Sequence, residues 1–157
     1  MKHGKGTSTR DGWCTPKDLA DAIGPWDLDP CSNPRSHVRA AKRLSLENDD
    51  NGLTYSKFVP DEERVFINPP YSDVPSWVRA YVHTRFCFLL KLDTSTKWFA
   101  DLFQATGLVC ITRKRIAFEP PPGVTASSNQ FPHAFFYARA EDATPAILRK
   151  CIAWRTR

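Results

Sequence analysis

Asn68-Pro69-Pro70-Tyr71 stands directly behind the apolar run Val65-Phe66-Ile67. The run reads as a strand. Two consecutive prolines lack backbone donors and hold the chain extended, so the strand stops and its end is rigid. An amide side chain, a backbone carbonyl and an aromatic ring are then held where open α/β sheets bind their ligands. The Asn68 side-chain oxygen and the Pro69 carbonyl are both acceptors. Side by side they suit the two N–H donors of an exocyclic amine, and Tyr71 offers an apolar plane for stacking. Such bonds favour a pyramidal nitrogen with its lone pair free to attack. Adenine N6, cytosine N4 and an amide nitrogen all fit this corner.

A second strand end carries polar chemistry. Trp26-Asp27-Leu28 runs into Asp29-Pro30-Cys31-Ser32-Asn33-Pro34, a turn of residues that bond to local backbone. In one parallel sheet both ends open on the same edge. The acidic stretch Glu47-Asn48-Asp49-Asp50-Asn51-Gly52 lies between them in sequence. A carboxylate there accepts hydrogen bonds from a ribose diol or an amino acid's ammonium, which makes Asp29, Glu47, Asp49 and Asp50 candidates. Lys91 and Asp93 follow the run Phe86 to Leu90 and reach the same edge. Arg113-Lys114-Arg115 follows Leu108 to Ile111 and would contact phosphates without reading sequence. Trp98 and Phe99 read as core residues, and His133 as a satisfied core or edge histidine.

The chain of 157 residues is expected to form one domain, 13–157, behind a flexible tail, 1–12. Its net charge of +5 favours a polyanionic partner. No apolar run is long enough for a membrane span. The five cysteines are widely spaced without a Cys-x-x-Cys pair, which argues against a zinc site or a disulfide framework and for a reducing cytoplasm.

The elements that must position these residues alternate. Thr15 as N-cap and Pro16 as first residue open a helix over 17–23, which Gly24-Pro25 ends. A helix or turn is expected over 35–43, then helices over 76–83 and 95–104, the latter with Trp98, Phe99, Leu102 and Phe103 inward. Apolar runs at 86–90 and 108–111 read as strands buried on both faces. A long loop spans 119–130, a late strand 131–138 and a final helix 145–154. The pattern is α/β with a mostly parallel sheet flanked by helices.

The chain resembles the small, phage-type DNA adenine N6-methyltransferases. The resemblance covers residues 13 to 138. It rests on Trp13 and Thr15-Pro16, on Trp26-Asp27-Leu28-Asp29-Pro30-Cys31, and on Asp50-Asn51-Gly52-Leu53. It continues with Val65 to Ser72, Leu89-Leu90, Thr94-Ser95-Thr96-Lys97-Trp98-Phe99 and Arg115-Ile116-Ala117-Phe118. It implies a Rossmann-like methyltransferase fold and S-adenosylmethionine as cofactor, with no metal. Thr15, Pro16, Asp29, Pro30 and Cys31 would hold the methionine part, and Asp50 or its neighbours in the stretch from Glu47 the adenosine part. Asn68, Pro69, Pro70 and Tyr71 would hold an adenine flipped out of double-stranded DNA. Lys91, Thr94, Arg113, Lys114 and Arg115 would grip the nucleic acid. The same corner would serve cytosine N4, an RNA base or a protein glutamine. The first strand lacks a Gly-x-Gly turn, which motivates a further alternative: a nucleic-acid-binding module that keeps the fold without the cofactor.

Overall fold

A computed structural model describes residues 12–48, 50–126 and 131–156. The expected tail up to residue 11, the tip of the long loop at 127–130 and the candidate acid Asp49 lie outside the described residues. Among the described residues seven strands form one sheet. In chain order they are β1 (Trp26–Asp29), β2 (Ala40–Arg43), β3 (Arg64–Ile67), β4 (Arg85–Lys91), β5 (Leu108–Thr112), β6 (His133–Tyr137) and β7 (Cys151–Arg155). Their spatial order is β2-β1-β3-β4-β6-β5-β7. β1 pairs in parallel with both β2 and β3, and β3 with β4. β6 runs antiparallel between β4 and β5, and β7 antiparallel on the outer side of β5. Five of the seven strands, β1 to β5, thus run in one direction, which makes the sheet mostly parallel in strand direction, while its β4-β6-β5-β7 half is paired antiparallel.

Among the described residues five α-helices flank it: α1 (Lys17–Ile23), α2 (Gly52–Tyr55), α3 (Val74–Tyr81), α4 (Lys97–Ala105) and α5 (Pro145–Lys150). The run Phe86 to Leu90 shows why the layers form. All five side chains are fully buried, and strand periodicity sends them alternately to opposite faces. Cys87 and Leu89 join Leu19, Ile23 and Ile147 from α1 and α5. Phe86, Phe88 and Leu90 join Trp77, Tyr81 and Leu102 from α3 and α4.

The structure corrects several expectations. The stretch 35–43 ends in a strand rather than a helix. Val38 is buried, and Ala40 to Arg43 pair along β1. The final helix stops at Lys150, because Cys151 to Arg155 find backbone partners along β5. Helix propensity loses there to a ladder that an isolated sequence cannot foresee. Phe103 is 38% exposed and stacks on Phe99 instead of entering the core. Among the described residues no helix is long and apolar enough to cross a membrane.

Candidate active site

The chain leaves β1 toward β2 on one side and returns to β3 on the other. That reversal of strand order opens a crevice beyond the carboxyl ends of β1 and β3. Both polar strand ends meet in it. The cleft is lined by Thr15, Asp29, Cys31, Glu47, Asn68 and Pro70 among others. Trp13, Cys14, Asn33, Ser36 and Ser45, which no site expectation included, share the lining with Gly12, Ser32, Val38 and Phe66. Asn33 was legible only as a turn residue. Here its side chain accepts from the Arg35 N–H at 2.9 Å and from the Cys14 thiol at 3.3 Å, tying two walls together.

The wall carrying Trp13 and Thr15 comes from outside the sheet. Cys14 and Glu119 exchange backbone hydrogen bonds, each of 2.9 Å, which pins residues 12–15 beside the cleft. Arg35 reaches over from the β1–β2 connection. It donates to the Gly12 carbonyl at 3.1 Å and lies 3.9 Å from the Glu47 carboxylate.

Thr15 does not cap α1. The helix begins at Lys17 behind Pro16, without a side-chain cap, and the buried Thr15 hydroxyl accepts from the Asn68 Nδ2 at 3.2 Å. With Nδ2 turned to Thr15, Oδ1 is left for an external donor. The backbone N–H of Asn68 points at the Cys31 thiol, so the ends of β1 and β3 are tied. Burial, then the neighbouring Asp29, pushes that thiol well above its ordinary range, which keeps Cys31 protonated and a poor nucleophile.

Asp29 is 4% exposed. Its carboxylate accepts from the Cys31 N–H at 3.2 Å and is further supported by Ser32. Burial outweighs these bonds and pushes its pKa up to about 7. Asp50 lies outside the cleft lining. Its carboxylate accepts from the Ser45 N–H at 3.0 Å and closes the loop that carries Glu47. Pro16, Pro30, Pro69 and Tyr71 are likewise outside the lining. Tyr71 stands on the far side of the corner, toward β6.

The basic candidates follow the same sheet edge. Lys91 ends β4 opposite His133, and its ammonium sits 3.7 Å over the Phe131 ring. Arg113, Lys114 and Arg115 leave β5 exposed, and Thr94 is exposed in the turn after β4. The structure brings these residues to one rim, beside the cleft but not in it.

A model of the DNA N-6-adenine-methyltransferase (Dam) family matches residues 4–140. The chain belongs to this family. A Dam-family protein methylates adenine N6 in DNA, so the substrate class is DNA and the reaction is transfer of a methyl group. No curated protein and no solved structure matches the chain.

Proposed function

We propose that residues 13–157 act as one Rossmann-like methyltransferase domain. It transfers the methyl group of S-adenosylmethionine to the N6 of an adenine flipped from double-stranded DNA. The observation that carries this reading is the Asn68–Thr15 bond, which leaves the Asn68 Oδ1 free to accept at the rigid strand end. When bound, S-adenosylmethionine supplies a methyl group carried on a sulfonium.

The cleft suits that group. A buried carboxylate with few donors, Asp29, fits an ammonium. The Glu47 carboxylate, held only loosely by Arg35, fits a ribose diol. Thr15 and Cys31 are within the same lining. The Asn68 Oδ1 and the Pro69 carbonyl accept the two N–H groups of the adenine. As its nitrogen gains a bond, those N–H groups become more acidic, and both acceptors hold them more strongly. Stabilisation that grows along the reaction in this way raises the rate. Positioning supplies the rest. Lys91, Thr94 and the Arg113 to Arg115 cluster grip phosphates along the rim, and their contribution weakens with salt.

The test is direct. The protein is incubated with unmodified duplex DNA and methyl-labelled S-adenosylmethionine, and the DNA is digested to nucleosides. The label is expected in N6-methyladenine. Label in N4-methylcytosine, or none at all, would overturn the reading.

Asp29 makes cofactor binding depend on pH. A cationic ligand group requires the ionised carboxylate, and in the free protein that form dominates only above about pH 7. Binding therefore releases a proton, and affinity should rise about tenfold between about pH 6 and pH 8. Calorimetry across that range measures it, and Asp29→Asn should flatten the profile. In the free protein the sign for stability is the reverse. A pKa raised from 3.8 to about 7 means that stability falls as pH rises through that window.

A further inference from the structure

His133 opens β6 and is 2% exposed. Because β6 runs antiparallel to β4, its first residue lies at the carboxyl edge, opposite Lys91. The Thr112 hydroxyl donates to the His133 carbonyl at 3.2 Å, which holds this end of the strand to β5. The imidazole faces the proline corner rather than the core. Its Nδ1 is 3.1 Å from the Phe131 carbonyl. A carbonyl only accepts, so Nδ1 carries the proton. In the neutral ring Nε2 is then an acceptor, and the Tyr71 hydroxyl lies 2.8 Å from it. Burial, with Lys91 and Arg115 nearby, holds the imidazole down to about 4, which keeps it neutral. Tyr71 thus donates to Nε2. The two rings meet edge to face at 6.1 Å, and Phe118 packs on the imidazole at 5.0 Å.

Tyr71 itself sits on a single 3-10 turn, Tyr71–Asp73, and is 38% exposed. A ring so placed turns freely about its side-chain bonds unless its far end is held. A stacking platform must keep its plane. We propose that His133 is a positioning residue for the transfer reaction: it accepts the Tyr71 hydroxyl hydrogen bond and so fixes the ring against which the flipped base stacks. The inference rests on the reading of the corner as the base site. The same imidazole bonds to Phe131, which is 51% exposed beneath the Lys91 ammonium. His133 therefore links the base platform to the rim where the duplex would lie.

Two measurements test this. In the free protein, nitrogen-detected NMR of the imidazole should show the Nδ1-protonated tautomer, and Tyr71→Phe should shift the Nε2 resonance. An Nε2-protonated ring would overturn the proposal. In the transfer assay, Tyr71→Phe and His133→Leu should each lower kcat about tenfold, with cofactor affinity unchanged. The double variant should be no slower than the slower single one, because both remove the same bond. His133→Gln, which restores an acceptor, should recover most of the rate. Additive losses, or cofactor affinity falling in step with kcat, would remove the role assigned to His133. Absence of transfer by the wild-type protein would instead sink the base-site reading itself.

Discussion

Asn68→Ala should lower methyl transfer by a factor on the order of a thousand or more while leaving cofactor affinity within a few-fold. The substitution deletes Oδ1, the acceptor left available because Nδ2 is committed to Thr15. It leaves intact the Asp29 and Cys31 side of the cleft, where the Cys31 N–H bonds to the carboxylate. Asn68 is only partly buried and ends a strand, so its loss costs little packing. Rates from the label assay and affinities from calorimetry separate the two effects. Equal loss of both would show that the amide holds the cleft together rather than the base.

Gly52→Ala should cost on the order of 3 kcal/mol of stability and weaken cofactor binding about tenfold or more. A Cβ at this position would fall 2.0 Å from the Pro30 carbonyl oxygen and 2.8 Å from the Trp77 ring. The first neighbour is backbone and the second is a buried ring in the core, so neither can swing aside. Either the loop behind Glu47 or the Asp29–Pro30 turn must move. Tyr81 reinforces the contact by donating its buried hydroxyl to the Gly52 carbonyl. The glycine is required here by close approach of two chain segments, not by a left-handed backbone. Urea unfolding reads the stability and calorimetry the binding. A variant with an unchanged midpoint would show that the contact yields more easily than its distances imply.

Part of the candidate site is legible because its residues punctuate strands. Asn68-Pro69-Pro70 and Asp29-Pro30-Cys31 announce where strands stop, and proline chemistry alone makes those ends rigid. The continuous apolar runs at 86–90 and 108–111 announced buried strands. Other placements stay open in the sequence because a side chain has two plausible partners. Thr15 suits a helix cap, and only the approach of β3 shows that Asn68 takes its hydroxyl instead. Glu47 and Asp50 are equivalent acids in sequence, but Asp50 is consumed by the Ser45 N–H while Glu47 faces the cleft. His133 reads in the sequence as a satisfied core or edge histidine, and it is buried and hydrogen-bonded at the sheet edge. Its place beside the proline corner follows only from the antiparallel direction of β6, which brings the first residue of that strand to the edge where β4 ends.

The sequence by itself determined the local chemistry: which residues accept, which stiffen the chain, which runs must be buried, and the family to which the whole belongs. Those properties follow from side-chain type and short-range sterics, and they need no distant partner. Tertiary structure alone decided the pairings across the sheet. It placed β7 beside β5, joined Asn68 to Thr15 and Tyr71 to His133, and packed Gly52 against Pro30. Each of these contacts depends on strand order and direction, which arise from burial of both sheet faces at once. A linear pattern carries the first kind of information and not the second.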